Sequence, residues 1–198
     1  TNELEVFVSH FTAGGSPAFQ VGGPGGLCLG GEERGCAKLY NNVAIGGQYS
    51  LLKNAGVELS GLLAADLRSL DPMHLAVDVG VGFKYAAAPV SVKATPQIGI
   101  GVTKRSEGNK EGIAVPVQIA FQAAPQIAVF LDSGIFGNLD KFGDSYIVPV
   151  GIGGNFLAMP GLDVGIEFML PMIAAGMSSK PEAMDTRTLM LYAAWRNQ

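Results

Sequence analysis

The feature that most constrains this chain is a two-residue alternation of apolar with small or polar side chains, repeated run after run. In residues 74–85, Leu75, Val77, Val79, Val81, Phe83 and Tyr85 share one parity, while Ala76, Asp78, Gly80, Gly82 and Lys84 share the other. In residues 90–103, Val90, Val92, Ala94, Ile98, Ile100 and Val102 alternate with Ser91, Lys93, Thr95, Gln97, Gly99, Gly101 and Thr103. Residues 113–122 repeat the pattern, with Ile113, Val115, Val117, Ile119 and Phe121 against Ala114, Gln118, Ala120 and Gln122. A helix would scatter these sets around its axis, whereas a strand sends them to opposite faces. The chain is therefore expected to be all-β.

Weaker forms of the alternation extend over the whole sequence. They place strands at about 3–9, 42–52, 55–65, 74–86, 89–103, 112–123, 126–135, 145–157, 161–173 and 186–196. Short turns are expected at Lys53-Asn54, Ala87-Ala88, Ala124-Pro125 and Met159-Pro160, and longer links at 10–41, 66–73, 104–111, 136–144 and 174–185. The long links hold 18 of the 30 charged residues, so one end of the molecule is polar and the other tightly turned. No linker or internal repeat divides the chain, and residues 1–198 read as one domain.

Which face meets water decides the class. Charged residues make up 15% of the chain, against about 25% in soluble domains. The less apolar parity is mostly Gly, Ala, Ser, Thr and Gln, a poor water-facing exterior but a suitable crowded lumen. The apolar parity is rich in Val, Ile and Leu. Aromatic rings fall near expected strand ends at Tyr49, Phe83, Tyr85, Phe121, Tyr146, Tyr192 and Trp195. Rings at that height fit the interfacial girdles of membrane barrels. No run reaches the roughly 18 to 20 apolar residues that a membrane helix needs. The net charge of −4 argues against a nucleic-acid partner.

This pattern of ten strands, short turns at one end and long polar loops at the other resembles the small outer-membrane β-barrel proteins of Gram-negative bacteria. The resemblance covers nearly the whole chain and is one of pattern rather than motif. It implies a closed antiparallel up-and-down transmembrane β-barrel, with ten strands expected and eight as the alternative. It also implies outer-membrane lipid as surroundings, both termini in the periplasm, and an envelope protein or a second copy as partner. The start at Thr1, with no basic or apolar leader, is expected of an exported chain whose signal peptide has been cleaved. Two features depart from the family pattern. The terminal aromatic, Trp195, is followed by Arg196-Asn197-Gln198, and Pro96, Pro116, Pro149 and Pro171 fall inside expected strands. A closed barrel has no edge for such prolines, so either bulges absorb them or some of the expected strand boundaries are displaced.

With the apolar parity outward, the lumen receives Glu58, Asp78, Lys84, Lys93, Gln97, Gln118, Gln122, Asp132, Asp163, Glu167 and Arg196. Mixed charges in a narrow barrel pair, because an unpaired buried charge costs several kcal/mol. Luminal glycines, among them Gly80, Gly82, Gly99, Gly101, Gly151, Gly153 and Gly165, are expected to widen the passage or to relieve curvature. Ten strands lie near the filled end of the barrel size range, which disfavours a general diffusion pore. The link 10–41 is glycine-rich and holds both cysteines. Cys28 and Cys36 form either a disulfide stapling an extracellular loop or two free thiols, and that segment has no His to complete a metal site.

No motif for a nucleophile, a cofactor or a metal is present. A rim hydrolase would have to draw on His10 or His74 with Asp66, Asp71 or Asp132, and on Ser9, at no defined spacing. The expected role is therefore non-catalytic: a structural or partner-binding envelope barrel presenting its loops. A narrow channel for ions or small solutes is one alternative. A soluble ligand-binding barrel of lipocalin type is the other.

Overall fold

The computed structural model describes residues 4–10, 43–176 and 187–195. These residues form one antiparallel sheet of eleven strands: β1 (Leu4–His10), β2 (Val43–Asn54), β3 (Val57–Leu70), β4 (Met73–Ala87), β5 (Val90–Ala94), β6 (Gln97–Gly101), β7 (Gly112–Ala124), β8 (Ile127–Asn138), β9 (Ile147–Met159), β10 (Leu162–Ala175) and β11 (Thr188–Trp195). Each strand pairs with its neighbour in sequence, except that β5 and β6 lie end to end between β4 and β7. The sheet thus has ten staves, one of them broken. The expected ten-strand count becomes eleven because the single run at 89–103 is interrupted at Thr95-Pro96. Among the described residues no ladder joins β1 to β11.

The break has a physical origin. Pro96 has no N–H, so its pairing with Val81 keeps only the Val81 N–H to Pro96 O bond, at 2.9 Å. On the next strand Pro116 keeps only the Thr95 N–H to Pro116 O bond, at 3.1 Å. The two prolines therefore weaken the sheet at one level, and the register runs unchanged through it. Pro149 and Pro171 both fall where the β9–β10 register shifts, between the pairs Leu170–Val150 and Ala174–Val148. All four in-strand prolines are absorbed at these two irregular levels.

Tight turns at 55–56, 88–89, 125–126 and 160–161 close one end of the sheet. Each falls one or two residues beyond its expected position, because ladder pairing carries the strands into the turn. Ala55 and Gly56 both take positive φ, 24° and 89°, the mirror-image geometry that matches the twist of a hairpin. At the other end the expected long link 66–73 is absent. β3 continues to Leu70, and β4 starts at Met73 after a two-residue turn. Asp66 and Arg68, expected in a loop, are strand residues. The link after β6 carries a single helical turn at Arg105–Glu107, and the link after β8 carries α1 (Phe142–Ser145). Most of the expected 10–41 loop lies outside the described residues, Cys28 and Cys36 with it; His10 is the last residue of β1.

The alternation becomes two faces of opposite chemistry. Large apolar side chains stand exposed on every strand, from Val6 on β1 and Ile45 on β2 to Leu191, 76% exposed, on β11. No outward register position in the described strands carries Asp, Glu, Lys or Arg. Among the described residues the only large apolar side chains buried on the inner face are Leu62, Phe130 and Phe136. Ser60, Asp66, Asp78, Thr95, Gln97 and Glu167 are buried beside them.

Candidate functional site

The inner face holds two polar groups. The first is built around Arg68, which sits where the β3–β4 register shifts between Leu67 and Ser69. That irregularity turns Arg68 back over the inner face. Its Nε donates to Asp66 Oδ2 at 3.3 Å, and its Nη2 lies 4.0 Å from Asp78 Oδ1 on β4. Its Nη1 donates to Asn109 Oδ1 at 3.1 Å. Gly99 leaves the space for this contact, since a Cβ there would stand 2.6 Å from Asp78 Oδ1 and 2.7 Å from Arg68 Nη2.

Asn109 comes from the loop after β6 and is 2% exposed. Its amide donates to Leu75 O at 2.9 Å and to Thr103 O at 2.6 Å. The loop is thereby folded down onto the inner face, and the Asn109 backbone fills the place where Gly101 has no side chain. Outside, Lys110 reaches Asp140 on the next loop at 2.7 Å, and Leu139 N donates to Glu111 O at 2.9 Å. Hydrogen bonds from Arg105 to Glu111 and from Lys110 to Asp140 hold both carboxyls below the usual carboxylate range.

Between these parts lies a cavity of about 270 Å³. Asp66, Arg68, Asp78, Gln97, Asn138 and Ser145 supply its polar wall, and Ala114, Phe136 and Ile147 its apolar wall. These residues come from β3, β4, β6, β7, β8 and β9 and the turn before β9. Six adjacent flat strands would span about 24 Å at 4.8 Å per step. One cavity touching all six requires a strongly curled sheet.

The second polar group lies lower on the inner face. Gln118 Nε2 donates to Asp132 Oδ2 at 3.3 Å, and Asp132 meets the carboxyl of Glu167. They meet over β9 because Gly151 between them has no side chain. Lys93 adds a positive charge next to Asp132. Phe130 occupies the space above Gly153, and Gln48 reaches Ser60 over Gly82. At Gly82, Gly151 and Gly153 the space left by the missing side chain is filled by a neighbour's side chain.

The other expected lumen residues are placed by the register. Glu58 stands opposite Lys84, and Lys84 opposite Lys93, at the short-turn end. Asp163 is opposite Leu157 on β9 and Ala194 on β11. Gln122 keeps the inner register, opposite Ala128, at the turn end, and donates to Ala124 O at 2.6 Å and to Ile127 O at 3.2 Å. Arg196 lies outside the described residues. Tyr49, Phe83, Tyr85 and Phe121 are exposed on the outer face, the last three near the tight turns. Phe156, which the sequence reading passed over, joins them there, opposite Ile127 and Val164. Tyr146 stacks on Phe142 in the loop instead, with ring centroids 6.0 Å apart. Tyr192 and Trp195 are fixed only by register, opposite Gly165 and Leu162.

Asp66 is bound to Arg68, Asp71 lies in a turn, and Asp132 sits mid-strand rather than at the rim. His74 Nε2 is buried with no hydrogen-bond partner among the described residues. The side chains of Ser9 and His10 are outside the description. The Arg68 network and its cavity escaped the sequence reading because Asp66 and Arg68 looked like loop charges. Comparisons with protein-family models, curated proteins and solved structures find no match for this chain.

Proposed function

We propose that this protein is an outer-membrane β-barrel of ten staves with a structural or partner-binding role, holding its long loops at the cell surface. One observation carries this reading: the exposed face is apolar and uncharged on every strand, while the charges are gathered on the buried face. Monomeric soluble proteins rarely expose apolar patches beyond a few hundred Å². Lipid is the solvent for which such a surface is built. Strands of 13 residues, such as β7 and β9, rise about 43 Å. Tilted by roughly 40°, they cover about 33 Å, enough for the hydrocarbon layer. No described helix is long and apolar enough to cross a membrane, so strands would do the crossing. An even number of staves returns both termini to the short-turn end, which is periplasmic in this reading.

Phe130, Phe136 and the filled glycine holes favour a plugged interior over a diffusion pore. Electrophoresis in detergent with and without boiling is the deciding experiment. A folded band that shifts on boiling, from protein needing detergent to stay in solution, is the expected result. Protein that remains soluble without detergent overturns the reading and puts a lipocalin-type binding barrel in its place. Planar-bilayer recordings should show no discrete conductance steps; regular steps would replace the structural role with a narrow channel.

A further inference from the structure

We infer that the cavity beneath the loop after β6 is a binding site for a small organic monocation carrying N–H donors, a primary ammonium or a guanidinium. Two buried acceptors in its wall have no hydrogen-bond partner among the described residues: Asp66 Oδ1 and Gln97 Oε1. Asp66 is 2% exposed and Gln97 6% exposed, so bulk water does not reach them freely. A buried acceptor left unmade is costly, and a site holding two of them is incomplete without a donor.

A ligand can supply that donor. Arg68, the cation among the lining residues, donates to Asp66 Oδ2 and Asn109 Oδ1 and lies 4.0 Å from Asp78 Oδ1, and none of these contacts meets the two open oxygens. Two carboxylates against one guanidinium leave the lining with a formal charge of −1. A neutral donor would satisfy the oxygens but not that charge, whereas a monocation satisfies both. Ala114, Phe136 and Ile147 on the facing wall would take the alkyl part. A volume of about 270 Å³ lies just under the usual range of about 300–1,000 Å³ for ligand pockets, so the ligand is small. A metal ion is disfavoured: among the described residues no group of three or more His, Cys, Asp or Glu is placed to hold one.

The site follows from the cavity walls, whichever solvent meets the outer face. Failure of the membrane reading and failure of this one are therefore separable: boiling and detergent test the first, titration the second. The folded full chain is titrated by calorimetry with methylguanidinium and n-butylammonium, and with tetramethylammonium, which has the same charge and no N–H. Saturable binding of the first two, with tetramethylammonium at least tenfold weaker, is expected. Gln97→Leu removes one open acceptor and keeps the charge; Asp66→Asn removes the charge. Each is expected to weaken binding at least tenfold. The boiling shift checks that each variant folds, and Gln97→Leu suffices if Asp66→Asn does not. Absence of saturable heat, equal binding of tetramethylammonium, or wild-type affinity in a folded Gln97→Leu protein would overturn the site.

Discussion

On the outer face, Ile119, Leu131, Ile152 and Ile166 stand in the open. One residue along the same strands, Gln118 and Asp132, half-buried, and Gly151 and Glu167, buried, form a polar group on the inner face. In a soluble sheet protein these two sets would trade places. The difference teaches that the strands carry one rule of alternation, and that the surroundings decide which half of it is the core. It also separates the energetics. The inner face depends on charge pairing and close fit, so it is sensitive to single changes. In the membrane reading proposed above, the outer face depends on remaining uncharged over its whole breadth, so it would tolerate apolar exchanges and reject charges.

The hardest blow to this contrast should come from inside. Arg68→Met leaves Asp66 and Asp78 without their partner, and urea unfolding in detergent should show a loss of about 3–5 kcal/mol. A loss near zero would mean that water already reaches these carboxylates. From outside, Ile119→Lys in lipid vesicles should cost about 2–4 kcal/mol, the range for a cation at the bilayer midplane. An unchanged or improved midpoint would assign that face to water and reverse the comparison. Gly153→Ala drives a methyl group into Phe130, and about 1–3 kcal/mol should be lost through overpacking. The same substitution beside Phe130→Leu should cost less, and an equal cost in both backgrounds would disprove the knob and hole.

The smallest effect belongs to the loops. Glu111 and Asp140 titrate lower in the folded chain than in the unfolded one because Arg105 and Lys110 bind their charged forms. Their contribution is present above the unfolded value of about 4 and is lost as the pH falls through the lowered folded values. Amide protection at Leu139, which donates to Glu111 O, should therefore decline on acidification below about pH 4 while strand amides hold. Equal decline in both places would show that these ion pairs do not govern the rim.

Parity made the faces legible before any coordinates. The positions of Val79, Val81, Asp78, Gln97, Gln118 and Glu167 follow from counting by twos. The strand count was less legible, because Pro96 interrupts a ladder without disturbing the alternation around it. The cavity was least legible. Charge density around Asp66 and Arg68 suggested a loop, although Leu63, Ala65 and Leu67 continue the alternation on the opposite parity. Extending that run to Leu70 would have placed Asp66 beside Asp78. Nothing local marks Asn109 as a plug. Its role depends on a loop folding back, which period-2 reading does not describe.

The proline pairs bear on how the sheet finds its alignment. A neighbouring strand that slides by two residues keeps every apolar side chain on its proper face, so hydrophobicity alone does not forbid the slide. In the native alignment Pro96 and Pro116 lie one register step apart, and Pro149 and Pro171 both fall in the β9–β10 irregularity, so four missing donors make only two weak levels. A slide that carries Pro116 further from Pro96 spreads the same gaps over more of the ladder, whereas the opposite slide by two leaves them one step apart. The prolines thus act as a one-sided stop, weighting against slides in one direction that the apolar pattern treats as equal.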